Sequence, residues 1–174
     1  MLIRDVHESD LPRLLEINVA NVPEVGPVDA DRLAAIVDWS AMALVVEAAV
    51  DEAAVDEIAA AEIAGFCLVL GPDAPYDSVN YRWFMERHDD AMYLDRVAFD
   101  ARFQGRGLGR ALYGEVFERM RRDHPALGVL TLEVNADPPN EPSLRFHDRL
   151  GFTEIGRLAS KNIECSMMSL RLTP

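Results

Sequence analysis

The chain has 174 residues, 49% hydrophobic and 27% charged, with a formal net charge of −13. That length carries a single domain with a buried core, and the charge argues against nucleic acid as a partner. No uninterrupted apolar run approaches a membrane span; Ala41 to Val50 is broken by Glu47. Charge is also unevenly spread: residues 1–90 carry −14 and residues 91–174 carry +1. A polyanionic ligand suits the second half, and a cationic one is drawn to the first. The N-terminus, Met1 to Asp5, runs straight into charged residues and lacks a signal-peptide pattern. Cys67 and Cys165 lie inside strand-like runs without metal spacing. They read as reduced thiols of a cytoplasmic protein, with a buried disulfide between them as the alternative.

In chain order, Leu2 to Val6 opens with a short strand. Ser9 or Asp10 then caps a helix carrying Pro12 in its first turn and Leu11, Leu14, Leu15 and Val19 along one stripe. Asn21 to Pro27 breaks it. Asp29 or Asp31 caps a second helix running to Trp39, and Met42 to Ala48 reads as a strand. A tandem repeat, Ala48–Glu52 then Ala53–Glu57, makes an acidic hairpin tip before the partner strand Glu62 to Leu70. Residues 71–91 are loop-like in Pro72, Pro75, Asp77, Ser78 and Asn80, yet rich in Tyr76, Tyr81, Trp83 and Phe84. Two readings stand there: a lid walling a ligand site, or a short helix packed on the core.

Met92 to Phe99 alternates over two faces, as a half-buried strand does. Gln104-Gly105-Arg106-Gly107-Leu108-Gly109 follows, and then a helical stripe of Leu108, Leu112, Val116 and Met120. Glycines permit positive φ and close approach of a ligand to bare amides. The first amides of the helix lack internal partners and sit at the positive end of its dipole. Arg102, Arg106 and Arg110 add full charges, so a phosphate or diphosphate is the fitting guest. Neither a Gly-Lys-Ser/Thr triplet nor a GxGxxG fingerprint is present; what fits is Gln-x-x-Gly-x-Gly. Further on, His124-Pro125 ends the helix, Val129 to Val134 is a strand, Asn135 to Asn140 a turn, and Pro142 to Leu150 a helix closed by Gly151. Phe152 to Ile155 and Glu164 to Leu172 are the last strands.

The Gln104–Gly109 pattern between strand and helix resembles the acyl-CoA loop of the GNAT N-acetyltransferases. A second signature reinforces it: Asn140, Ser143, Phe146-His147 and Gly151-Phe152 stand at the family's spacing. The strong match covers about residues 92–155. The resemblance implies one mixed α/β domain over residues 1–174, in the order β-α-α-β-β-β-α-β-α-β-β with a splay between the fourth and fifth strands. It implies acetyl-CoA as cosubstrate, no metal, and a small-molecule or peptide amine as acceptor, with no nucleic acid and no membrane. Val97, Ala98 and Phe99 would offer backbone to the pantetheine arm. Gln104, Gly105, Arg106, Gly107, Leu108, Gly109 and Arg110 would hold the diphosphate. Asn135, Asn140, Ser143 and Phe146 would line the pantetheine and thioester. His147 stands where the family commonly carries a Tyr that protonates the departing thiolate, and its near-neutral pKa makes such a donor pH-sensitive. Asp95 and Glu133 are the candidate bases. Tyr81, Trp83, Phe84 and Tyr93 are the candidate acceptor wall. A CoA-binding sensor without turnover is the competing function. The hairpin at residues 42–70 and the last strands are the elements open to a homodimer.

Overall fold

The computed structural model describes residues 1–50, 61–160 and 163–173. The Asp51–Glu57 part of the acidic repeat lies outside the described residues. In chain order the elements are β1 (Leu2–Asp5), α1 (Leu11–Ala20), α2 (Ala30–Trp39), β2 (Ser40–Ala49), β3 (Ala61–Leu70), α3 (Val79–Met85), β4 (Ala91–Phe99), α4 (Leu108–Asp123), β5 (Val129–Asp137), α5 (Glu141–Leu150), β6 (Thr153–Ser160) and β7 (Ile163–Arg171). The strands form one mixed sheet in the order β1-β2-β3-β4-β5-β7-β6. This is the expected series with α3 added. Contacts group the chain into two compact units, Met1–Val69 with Arg96–Glu118, and Leu70–Asp95 with Arg119–Pro174.

The first unit buries Leu14 and Ile17 of α1, Leu33 and Ile36 of α2, and Leu44, Val45, Val46, Phe66 and Leu68 of β2 and β3. Asp29 caps α2 through the Arg32 amide at 2.8 Å. Asp10 does not cap α1: its carboxylate takes the His7 amide at 2.8 Å and the Arg4 guanidinium at 2.7 Å instead. A full charge offers that carboxylate more than an orphan amide does. Arg96 is buried and donates to Asn18 Oδ1 at 2.8 Å. Asn18 in turn holds the Gly26 carbonyl at 3.2 Å, so the break after α1 is tied to β4.

Gly65 in β3 lies under the ring of Phe99. A Cβ built there would stand 2.2 Å from Phe99 Cδ1 and 2.7 Å from the Ala98 carbonyl oxygen. Backbone on one side leaves no room to relax. Gly65→Val is expected to cost about 3 kcal/mol or more, at the upper end of overpacking effects, read as a lower urea midpoint at unchanged slope. A cost below about 0.5 kcal/mol would show that β3 and Phe99 do not pack this way.

In the second unit β4 and β5 pair in parallel only from Ala91↔Val129 to Tyr93↔Thr131, and both strands continue past that point. This is the splay the sequence implies. β5 pairs antiparallel with β7 along its length, and β7 with β6. β5 runs to Asp137 and β6 to Ser160, each longer than expected. A register shift at Glu154/Gly156 lets β6 pass the glycine that halts its alternating pattern. Residues 71–91 resolve in favour of the packed helix. Ser78 caps α3 by accepting from the Tyr81 amide, and Tyr81 and Phe84 are buried. Cys67 and Cys165 are not joined in a disulfide. Among the described residues no helix is long and apolar enough to cross a membrane.

Candidate active site

The anion loop belongs to the first unit. Asp100 caps the 3-10 turn Ala101–Phe103 through the Arg102 amide at 2.9 Å. Arg102 and Arg13 hold its carboxyl well below the usual carboxylate range. Gly105 and Gly107 then take φ of 77° and 76°. A Cβ at either would meet nothing within 4 Å, so the requirement there is conformational, not spatial. Gly107 precedes α4 and its carbonyl takes the Ala111 amide at 3.2 Å. Leu108, Gly109 and Arg110 supply the first-turn amides, which a helix cannot pair internally. Leu108, Leu112, Val116 and Met120 bury the expected stripe.

The arginines divide their tasks. Arg102 pairs with Asp100 at 2.8 Å and Glu62 at 2.9 Å. Arg106 donates to the carbonyls of Ala49 at 3.0 Å and Arg102 at 3.2 Å, which fastens the loop to the end of β2. Arg110 is exposed at the first turn of α4. Upstream, Val97 and Phe99 are half-buried on one face of β4 and Ala98 is buried on the other. The Phe99 carbonyl already accepts from Asn21 Nδ2 at 3.0 Å. Helix-start amides, two left-handed glycines and the exposed guanidinium of Arg110 fit a diphosphate.

The titratable cluster belongs to the second unit. Tyr93 and Asp95 share one face of β4, and Thr131, Glu133 and Asn135 one face of β5. Tyr93 is 1% exposed, and its hydroxyl lies 3.0 Å from Glu133 Oε1 and 2.9 Å from Oε2. Asn80 Nδ2 donates to Oε1 at 2.7 Å. Desolvation pushes the Glu133 carboxyl up to about 7, against the pull of the Asn80 and Tyr93 hydrogen bonds and with help from the Asp95 charge. Burial and the same two carboxylates push the Tyr93 hydroxyl well up, so it stays a donor at any working pH. Asp95 accepts from Tyr76 at 2.5 Å. Of the candidate bases, Glu133 is the one whose pKa burial has moved to neutrality.

The expected acceptor wall is largely core. Tyr81 donates to the carbonyls of Gly71 and Pro72 at 2.8 and 2.7 Å, and Phe84 is fully buried. Trp83 is half-buried. Its indole rests where a Cβ on Gly156 would lie 2.8 Å from Cζ2, and Arg87 stacks on it at 4.1 Å. Asn80 and Tyr76 were not among the expected site residues. The sequence offered only a Ser-x-Asn helix start and an unexplained loop tyrosine as signals.

Asn140 caps α5 by accepting the Ser143 amide at 3.1 Å, with Pro142 in the first turn and Gly151 closing it at φ 95°. Asn135 Oδ1 faces the Cys165 thiol at 3.7 Å. Phe146 is half-buried with its ring edge-on to His147 at 5.3 Å. His147 is only 3% exposed. Its Nδ1 lies 2.8 Å from the Ser143 carbonyl, which can only accept, so Nδ1 carries the proton and Nε2 the lone pair. Burial pushes its pKa down to about 4.

A family model described as the Acetyltransferase (GNAT) family matches residues 13–152. No curated protein matches the sequence significantly. Among solved structures, Ard1 from Thermoplasma volcanium superposes with a TM-score of 0.74 at 17% identity, covering 99% of this chain and 98% of that one. Ribosomal-protein-alanine N-acetyltransferase from Brucella melitensis gives 0.68 at 24% identity, covering 99% and 100%. The yncA protein of Salmonella typhimurium, solved with its cofactor acetyl-CoA, gives 0.66 at 23% identity, covering 100% and 95%.

Proposed function

The chain belongs to the acetyltransferase (GNAT) family, and on that premise we propose that residues 1–174 act as one cytoplasmic N-acetyltransferase domain that moves an acetyl group directly onto a primary amine of a small molecule or peptide. The family match spans both compact units, and the neighbour named for ribosomal-protein alanine favours a peptide amine as acceptor. Acetyl-CoA supplies an activated acetyl thioester. Gly107 to Arg110 would bind its diphosphate, Val97 to Phe99 its pantetheine arm, and Asn135, Asn140, Ser143 and Phe146 the remainder of the arm.

The observation that carries the reading is Glu133: a half-buried carboxyl held at about 7 and facing two neutral donors. A base of that strength can take a proton from an alkylammonium near neutral pH, which an ordinary carboxylate does poorly. Asp95 supplies the second negative charge that draws the cation. His147 enters as a neutral group. With Nδ1–H given to Ser143, proton donation would need the imidazolium, which burial disfavours. A thiol of pKa about 8.5 can leave as thiolate near neutrality without an acid.

The test is transfer of label from acetyl-CoA to a panel of small amines and of peptides beginning with different residues, with free thiol measured in parallel. The expected result is one acceptor class acetylated with equal thiol release. Coenzyme A binding with no turnover on any amine would replace this reading with the sensor one.

A further inference from the structure

We propose that Asn80 and Tyr93 are positioning residues for Glu133, holding its carboxylate in the orientation from which it takes the acceptor's proton. The proposal rests on the reading of Glu133 as the base. Asn80 Nδ2 donates to Oε1 at 2.7 Å, and the single proton of the Tyr93 hydroxyl is shared between the two oxygens, 3.0 Å from Oε1 and 2.9 Å from Oε2. Two donors spread over the two oxygens fix the plane of the carboxylate and stabilise its charge. In the transfer the ammonium N–H bond breaks, its electron pair stays on nitrogen, and a carboxyl O–H bond forms on Glu133.

Both donors are rigidly placed. Tyr93 is buried in β4, edge-on to Tyr81 at 5.6 Å and tilted against Phe84 at 5.8 Å. Asn80 rides on α3, which is seven residues long and has little stability of its own. Three anchors hold that helix: the Ser78 cap, the Tyr81 hydroxyl on the Gly71 and Pro72 carbonyls, and Trp83 seated over Gly156. The groups that face or electrostatically touch Glu133 are Tyr93 and Asp95 of β4, Asn80 of α3 and Cys165 of β7, with Tyr76 bonded to Asp95. Asp95 repels the carboxylate, while Asn80, Tyr93 and the backbone amide of Glu133 itself stabilise its charge. A helix inserted just before the central strand thus serves to orient a residue on the next one.

Tyr93→Phe and Asn80→Ala each remove one donor and little volume. In the full chain the ¹³C signal of the Glu133 carboxyl should titrate near neutrality, and at higher pH in both variants. The acid limb of kcat/KM should move the same way. With the best acceptor of the panel, kcat near neutral pH should fall about tenfold, the scale of one charge-assisted hydrogen bond, while coenzyme A affinity stays within about twofold. A purely structural role would lower the melting temperature and leave both titrations in place, which would overturn the proposal. The carboxyl titration needs no turnover. If Glu133→Gln kept full activity, the base assignment would fall, while an unmoved Glu133 signal in Asn80→Ala and Tyr93→Phe would sink the positioning claim by itself.

Discussion

Glu133→Gln should lower kcat by about 10²–10⁴-fold, leave coenzyme A binding intact, and make the protein more stable at alkaline pH. The kinetic part follows from removing the one carboxyl that burial has tuned to neutrality. The stability part follows from the sign of that shift. The folded carboxyl titrates at about 7 and the unfolded one at its ordinary 4.5. Below the lower value both states are protonated and nothing is lost. As pH rises from there, the unfolded state releases its proton first, so folding becomes progressively less favourable until the folded carboxyl ionises too. The full penalty, present above about pH 8, is about 3 kcal/mol at 1.36 kcal/mol per pH unit. Gln keeps an oxygen for Asn80 and Tyr93 and carries no charge. Chemical unfolding of both proteins at acidic and alkaline pH should therefore show curves that converge in acid and diverge in base. Equal stability at every pH would mean that Glu133 is not desolvated as described. Losing activity while gaining stability is the trade expected of a strained functional group.

The second large effect is at Gly107. Gly107→Glu should raise the dissociation constant for coenzyme A by at least about 10²-fold with the fold preserved. Two costs add. A non-glycine residue at φ 76° costs about 1–2 kcal/mol, and a carboxylate at the start of α4 places negative charge where a diphosphate is meant to sit. The fold should survive because a Cβ at Gly107 meets nothing within 4 Å. Gly114→Ala is the matched control. It lies in the same helix with equally open space, and gaining about 1 kcal/mol of helix propensity should not weaken binding. If Gly107→Glu bound coenzyme A like the parent, the loop would not be the diphosphate site.

Much of the framework was legible because it is written in local pattern. The strand–glycine turn–helix unit from Met92 to Asp123, the Asn140 cap and the Gly151 stop depend on residues a few positions apart, and each falls where the spacing placed it. What was not legible depends on partners far along the chain. Glu133 owes its environment to Tyr93 and Asn80, 40 and 53 residues away. Arg106 looked like a phosphate ligand by position, yet its guanidinium serves the Ala49 carbonyl, 57 residues back. The α3 segment carries Val, Tyr, Trp and Phe, which are poor helix formers in isolation, and packing of Tyr81 and Phe84 overrides that preference. Asp10 had the right chemistry for a cap and lost it to Arg4, a competition that spacing alone does not reveal. His147 was read as a near-neutral acid because its motif position says nothing of burial. Burial among the neighbouring rings keeps it neutral, against the opposing pull of the Ser143 carbonyl.

The most direct test is calorimetric titration of the full chain with coenzyme A and, separately, with pantetheine, which has the same thiol arm and no diphosphate. Saturable heat with coenzyme A and none with pantetheine at equal concentration is the predicted result. Equal binding of the two, or no heat with coenzyme A, would contradict it.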